Sequence, residues 1–280
     1  MFATLTTRGL IDEAERELSA AGVESPRLDA ETLLAFVIGA KRAEVVAGLA
    51  AQPSAEQIEL FNKAVARRAE REPVAYITGT KGFRRIDLAV DPRVLIPRPE
   101  TELLVAVMKV DRPCGILDVA TGSGAVALAL ADELPDATIT AADISEDALD
   151  VARANAERLG SAARVTFHRS DLLESVDGVF DAISANLPYV TREELAGLQP
   201  EITEYEPSLA LDGGADGLDL VRRLAAQAPA HLKPGGFIAL EIGDDQAFAT
   251  EKILQAAGFV TTEIHQDLAE RDRVVTGRRP

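Results

Sequence analysis

The sequence predicts an α/β fold: a mostly parallel sheet with helices on both faces, preceded by a small helical domain. Three observations carry this expectation. From Cys114 onward, apolar strand-like runs alternate with helical patterns, as βαβ units require. The first such run, "GILDVA" at 115–120, leads into a glycine-containing turn and then an apolar helix. The first 75 residues show only helical periodicity.

Within the helical part, "SPRLDAETLLAFVIG" offers Ser25 as N-cap with Pro26 in the first helical position. "SAEQIELFNKAVARRAERE" opens with Ser54 and Gln57, a capping-box spacing, and Pro73 ends that pattern. "YITGTKGFRRIDLAV" changes to alternating apolar residues with Gly79 and Gly82 and reads as a β-hairpin. Pro92, Pro97 and Pro99 then stiffen a connector. Seven strand patterns follow: "GILDVA", "ATITAAD", "ARVTFHRSD", "FDAISANLPY", "GGFIALEIG", "FVTTEIHQDL" and "DRVVTGR". Between them lie helices, among them one capped by Ser145 and stopped by Gly160, one at 216–231 and one at 245–257. Asp216 is the expected N-cap of the 216–231 helix. The short gap between the last two strands predicts antiparallel pairing. The expected division is a helical domain at 1–75, a hairpin and Pro-rich connector at 76–100, and a sheet domain at 101–280.

The 280 residues are 47% hydrophobic, enough to bury a sizeable core, and contain no apolar run of membrane-spanning length. The N-terminal stretch from Met1 reads as an amphipathic helix, with acids at Asp12 and Glu13, and not as a targeting signal. A lone Cys114 permits no internal disulfide and no cysteine zinc site. His168, His231 and His265 have no metal-ligand spacing, so no metal is expected. A reducing cytoplasm is the expected compartment. The first 85 residues carry 12 basic and 12 acidic side chains, so the entire net charge of −17 lies beyond them. That argues against free nucleic acid as the main partner, although a local patch can oppose a net charge.

The turn Ala120, Thr121, Gly122, Ser123, Gly124 sits between a buried strand and a helix N-terminus, where glycine allows close backbone approach. Two glycines alone also suit a plain structural turn. Asp143 ends the next strand about 20 residues on, a spacing that suits an acid bonding ribose hydroxyls or capping a helix. Asp171 and Leu172 end the third strand, where an adenine would sit. Asp118, inside the first strand, is expected to orient the turn through backbone bonds. All fall on the carboxyl edge of the sheet, where open α/β sheets bind ligands.

The fourth strand ends at that edge in "ANLPYV". A planar –NH2 is a poor nucleophile because its lone pair is delocalised, and it carries two N–H donors. Asn186 offers a side-chain oxygen, Pro188 a backbone carbonyl on a residue without an N–H, and Tyr189 a flat face for stacking. Pro188 also biases Leu187 toward an extended conformation. Such a pair of acceptors would hold a planar amino group and stabilise charge as it develops. The same residues form an ordinary Asn-x-Pro turn. Adenine N6, cytosine N4 and a glutamine amide all present this group, so the stretch by itself does not choose among them.

"ILDVATGSGAVALAL", "AADIS" and "SDLL" together resemble the S-adenosylmethionine site of class I methyltransferases. The resemblance implies a Rossmann-like, seven-stranded, mostly parallel sheet with an antiparallel last strand. It also implies that Ala120–Gly124 meet the methionine moiety, Asp143 the ribose, and Asp171 with Leu172 the adenine. Ala120 stands where that family has its first glycine and is expected to be tolerated with a negative φ. "ANLPYV" resembles the Asn-Pro-Pro-Tyr motif of amino-methyltransferases, with Leu187 in place of the first proline.

"REPVAYITGTKGF", "VDPRVLIPRPETELLV", "ANLPYV", "YEPSLALDGGADGLDL", "LKPGGFIALEIG" and "DRVVTGR", in this order, resemble the HemK/PrmC family of peptide chain release factor glutamine methyltransferases. This implies methyl transfer from S-adenosylmethionine, leaving S-adenosylhomocysteine, to the glutamine of the Gly-Gly-Gln loop of class I release factors. The helical domain would help grip that partner. Lys63, Arg67, Arg68, Arg71, Lys81, Arg84 and Arg85 could form a docking face or only a solvated surface, and Arg98 and Glu100 could line the pocket or pair with each other. The alternatives are an N6-adenine or N4-cytosine nucleic-acid methyltransferase, suggested by Asn186–Tyr189 alone, and a non-catalytic cofactor-binding module.

Overall fold

The computed structural model describes residues 6–109, 111 and 114–280. The chain separates into two compact units, one of residues up to Gly79 with Pro200–Tyr205, the other of Thr80–Gln199 with Glu206–Pro280.

The first unit is helical: α1 (Thr7–Ala20), α2 (Pro26–Ile38), α3 (Arg42–Val46), α4 (Ala55–Ala69) and α5 (Val74–Thr78). The first five residues of the expected N-terminal helix lie outside the described residues. Helical structure extends to Thr78, past the expected limit at 75, because Pro73 does not end the helical region but precedes α5. Ser54 and Gln57 form the expected reciprocal cap. Ser25 precedes Pro26 as expected, but its side chain makes no capping bond. Leu18, Leu33, Leu34 and Phe61 fill the core between α1, α2 and α4. A short helix from far along the chain, α10 (Pro200–Thr203), belongs here too. Its Glu201 accepts two hydrogen bonds from Arg71, at 2.8 and 2.6 Å, and one from Arg68 at 2.7 Å. Arg68 also reaches Asp29 on α2, so this buried guanidinium joins three segments with charge-assisted bonds.

The second unit begins with a hairpin, β1 (Thr80–Phe83) and β2 (Ile86–Ala89), and continues through α6 (Thr101–Met108) into the sheet. The sheet strands are β3 (Gly115–Val119), β4 (Thr138–Asp143), β5 (Val165–Arg169), β6 (Phe180–Asn186), β7 (Leu232–Glu241), β8 (Val260–Gln266) and β9 (Asp272–Arg278). Their spatial order is β5-β4-β3-β6-β7-β9-β8, and β9 alone runs opposite to the other six. The seven-stranded sheet with an antiparallel last strand is the fold expected. Helices α6, α7 (Ala125–Glu133) and α8 (Glu146–Arg158) pack together on one side; α11 (Asp219–His231) and α12 (Ala247–Ala256) pack together on the other. With both faces covered, β3, β6 and β7 from Gly236 onward are almost wholly buried, which is why they read as continuous apolar runs. A short α9 (Arg192–Leu195) follows β6.

Ser145 caps α8 through Ala148 N, and Gly160 follows with φ 69°, as expected. Asp216 is not the N-cap of α11. That helix starts at Asp219, and Asp216 instead accepts from Leu218 N and pairs with Arg222, closing the turn before the helix.

The chain order leaves β3 for β4 and β5, then returns to place β6 on the other side of β3. This is the topological switch point, where the carboxyl ends diverge and leave a crevice. One wholly buried side chain fixes what surrounds it. Asn155 on α8 donates to the carbonyls of Ala89 and Ser123, both at 3.0 Å, and accepts from Ala89 N at 2.7 Å. It thereby ties the hairpin to the turn after β3. Asn155→Ala leaves buried backbone groups unpaired and is expected to lower stability by about 2–3 kcal/mol. A denaturant titration showing a midpoint equal to that of the parent chain would remove Asn155 from this role.

Candidate functional site

A cavity of about 440 Å³ opens at the switch point, within the range of small-molecule sites. The turn after β3, the ends of β4 and β6, the residues after β5 and the connector before α6 all contribute to its wall. Ala120, Thr121, Gly122, Ser123, Asp143, Asp171, Leu172, Asn186, Leu187 and Pro188 all line it. Gly124, with φ 82°, lies one step back from the lining; a Cβ there would meet Leu128 at 3.0 Å, so glycine lets the turn close onto α7.

The turn is held from beneath by Asp118. Its carboxylate accepts from the hydroxyls of Thr121, at 2.7 Å, and Ser184, at 2.8 Å. The expected orienting role thus works chiefly through hydroxyls, not backbone bonds. Burial pushes Asp118 up to about 6, against the pull of those two hydroxyls. Asp143 accepts from Gly122 N and Ser145 N, both at 2.9 Å. Burial raises its pKa in spite of these N–H donors.

Ala120 departs from expectation. Its φ is +56°, in the left-handed region, where a Cβ is strained. The small side chain is accommodated, but not through a negative φ. Leu172 is likewise left-handed at φ 51°, so the residues after β3 and after β5 both hold strained backbone at this edge. Asp171 lines the cavity, but its carboxylate is engaged by Arg223 at 2.8 Å.

Asn186 closes β6, and its Nδ2 donates to Thr101 Oγ1 at 3.2 Å. The turn after it is braced by the loop at 211–217. Val190 N donates to Leu211 O, Gly213 N donates to Val190 O, and Gln246 Nε2 donates to Tyr189 O at 3.0 Å. Gly213 is an obligate glycine here: a Cβ would fall 2.7 Å from the Pro188 oxygen and 2.8 Å from Tyr189 Cα. Gly217 is equally confined, with 2.2 Å to Tyr189 O. Tyr189 is not among the residues lining the cavity. Burial, then the neighbouring charge of Glu241, pushes its phenol up to about 12.

Of the two connector residues, Arg98 lines the cavity and Glu100 does not. They do not pair with each other. Arg98 pairs with Glu206, whose buried carboxylate also accepts from Ile96 N at 3.0 Å. That contact, invisible as a pattern in "EYEPSL", holds the connector against the loop across the cavity mouth.

Family models for the PrmC N-terminal domain and the methyltransferase small domain match residues 9–79 and 99–202 respectively. A release factor glutamine methyltransferase of Moorella thermoacetica is 45% identical, across 96% of this chain and 97% of its own. The chain belongs to the release factor glutamine methyltransferase family. Another member, from Geobacter sulfurreducens, is 41% identical over 98% of this chain and 96% of its own. A solved methyltransferase of Pyrococcus furiosus superposes with a TM-score of 0.54 at 20% identity, covering 78% of this chain and 98% of that one. A T. thermophilus 16S rRNA methyltransferase solved with AdoMet and guanosine gives 0.52 at 16%, covering 72% and 50%. At those identities the two structures speak for the fold alone.

The basic residues considered for a docking face of this family member are mostly spent within the chain. Lys63 pairs with Glu59, Arg67 with Glu72, Arg71 with Glu201, Arg84 with Glu133 and Arg85 with Asp132, while Arg68 is buried between Asp29 and Glu201. Lys63, Arg67, Arg68 and Arg71 belong to the first unit, and Lys81, Arg84 and Arg85 to the second.

Ala120→Gly removes a Cβ from a left-handed position and is expected to raise stability by up to about 1 kcal/mol. Thermal or chemical unfolding reads this directly; a loss of stability would mean that Ala120 is not strained.

Proposed function

We propose that this chain transfers a methyl group from S-adenosylmethionine to the side-chain amide nitrogen (N5) of the glutamine in the Gly-Gly-Gln loop of class I peptide chain release factors, in the cytoplasm. The observation that carries this reading is that Asn186 and Pro188 border the same cavity as the turn Ala120–Ser123 and Asp143. Membership of the family supplies the choice of a glutamine amide over a base amino group. The acidic balance of the chain supports a protein loop over a duplex.

The residues present fit the cofactor. The turn brings small side chains and a close-lying backbone to the cavity wall, as a methionine moiety needs. Asp143 has lone pairs beyond those used by Gly122 and Ser145, and these can accept from ribose hydroxyls. Leu172 gives an apolar flank for the adenine, while Asp171 stays with Arg223 at the rim. When bound, S-adenosylmethionine supplies an electrophilic methyl carbon on its sulfonium.

The remaining work falls to the acceptor edge. Asn186 Oδ1 and the Pro188 carbonyl accept the two N–H groups of the glutamine amide and fix the plane of its nitrogen. As the nitrogen lone pair leaves conjugation, both oxygens stabilise the growing positive charge on the –NH2 group. Leu187 is buried and packs the turn from within. Tyr189 lies outside the cavity lining, so the stacking face expected of it is not offered to this amide, and its phenol stays neutral across the working pH range.

Labelled cofactor and a purified class I release factor test the reading. Label is expected on the wild-type factor and absent from one whose loop glutamine is replaced by alanine; label that persists on the latter, or that enters DNA or RNA instead, would overturn it. Asn186→Ala is expected to cut kcat by at least about tenfold, through loss of one charge-stabilising acceptor. Near-normal turnover would take Asn186 out of the chemistry. Gly213→Ala pushes on the Pro188 carbonyl and should lower kcat while the dissociation constant for S-adenosylhomocysteine, read by calorimetry, stays unchanged.

A further inference from the structure

Directly behind the acceptor edge lies a charged group that the reaction described above leaves unused. Glu241 is the last residue of β7 and sits in parallel register beside Asn186. It is 2% exposed, and neither carboxylate oxygen has a hydrogen-bond partner among the described residues. The Thr101 hydroxyl and Asn186 amide lie close enough to favour its charged form, yet neither reaches full bonding geometry. A buried, unpartnered carboxylate is costly, so a position like this needs a reason.

Asn186 supplies one. An asparagine amide has nearly the same shape in its two flipped orientations. Thr101, the one side-chain hydrogen-bond partner of this amide among the described residues, has a hydroxyl that both donates and accepts, so it does not choose between them. An ionised carboxylate does choose, because it can only accept. We propose that Glu241 is a positioning residue: its carboxylate draws the Nδ2 edge of Asn186 toward β7 and α6, so that Oδ1 faces the cavity as the acceptor. This deepens the reading of the site as an amide methyltransferase and rests on that reading for its catalytic consequence.

The control has a chemical switch. A protonated Glu241 can donate to Oδ1 as readily as its anion accepts from Nδ2. The flipped amide then presents two N–H donors to an incoming –NH2, and the clamp is lost. Burial pushes Glu241 up to about 7, against the Thr101 hydroxyl, the Arg273 charge on β9 and the Asn186 amide. Glu100, ahead of α6, adds to the rise, and the Tyr189 phenol stays neutral in this range. The switch therefore falls near neutrality, and the active form is the ionised one at higher pH.

The sign for folding is opposite. A carboxyl whose folded pKa is raised contributes stability below its ordinary range and loses it as pH climbs through 7. The fold is most comfortable with the form that catalysis cannot use.

The test uses the intact chain and two readouts. The first is the side-chain 15N–1H2 signal of Asn186, assigned by its absence in Asn186→Ala. It should titrate with an apparent pKa near 7 in the parent and stay flat in Glu241→Gln; a signal that does not move in the parent, or that still moves in the variant, overturns the proposal. The second is the pH profile of kcat on a release factor. It should rise about tenfold from pH 6 to pH 8 in the parent, following the ionised fraction of Glu241. In Glu241→Gln, whose amide can accept or donate at any pH, kcat should be several-fold lower and level across that range, with the S-adenosylhomocysteine dissociation constant unchanged. A variant that keeps the parent's sloping profile overturns the positioning role. If the Asn186 signal titrates but no release factor is labelled at any pH, the functional reading fails and the positioning of Asn186 stands.

Discussion

The buried carboxylate of Asp118 joins the two halves of the site. It bonds Thr121 in the turn after β3 and Ser184 on β6, two residues before Asn186. Parallel pairing already sets β3 beside β6, with Asp118 opposite Ser184. The two hydroxyl bonds then fix the turn to that register, so the turn after β3 and the end of β6 share one coordinate frame. Burying an acid this deeply raises its pKa, and the hydroxyls hold it below where burial alone would take it. Around this joint, Asn155 secures the far side of the turn through Ser123, and Asp143 secures its near side through Gly122.

Much of this architecture was legible because it rests on local or periodic signals. The alternation of apolar runs and helical stretches gave the sheet. Ser54 with Gln57, and Ser145, announce helix starts by short-range bonds that depend only on neighbours. The site residues at the ends of β3, β4, β5 and β6 follow from one rule, that parallel strands deliver their carboxyl ends to a common edge. What stayed hidden depends on residues far apart in the chain. The left-handed φ of Ala120 is imposed by the surrounding turn and carries no mark in its own side chain. Asp216 resembled a cap, but Arg222 and Leu218 take its oxygens. The placement of Pro200–Tyr205 with the first unit depends on Arg68 and Arg71 meeting Glu201 across about 130 residues of chain. Glu241 did leave a trace, a lone acid in the apolar run "FIALEIG", which strand periodicity absorbs without asking what it faces.

Charge follows the same division. The net of −17 is a property of the second part of the sequence, yet the acids that matter to the site are few and buried. Asp118 and Glu241 both have pKa values raised by burial, Asp118 against neutral hydroxyl donors and Glu241 against the Thr101 hydroxyl, the Arg273 charge and the Asn186 amide. Each is cheaper to fold when protonated, whereas Glu133 beside Arg84 and Asp216 beside Arg222 are held well below the usual carboxylate range. The region behind the site is therefore less tolerant of rising pH than the surface that encloses it.

The acceptor turn is best understood by following its carbonyls one after another. Backbone oxygens out of water are nearly always satisfied within a fold, whereas one that borders an open cavity can be left for a ligand. The carbonyl of Tyr189 accepts from Gln246, which is itself held through Gly243, and the carbonyl of Val190 accepts from Gly213. The carbonyl between Asn186 and these two, that of Pro188, takes no hydrogen bond among the described residues, although Gly213 packs closely against it. With Tyr189 and Val190 satisfied, the turn cannot rotate to satisfy Pro188 without breaking two bonds, and proline's fixed φ removes further freedom. The fold thus keeps the Pro188 oxygen unspent among the described residues, beside the cavity and two residues from Asn186. A donor with two hydrogens in one plane is the chemistry that such a pair of oxygens would satisfy.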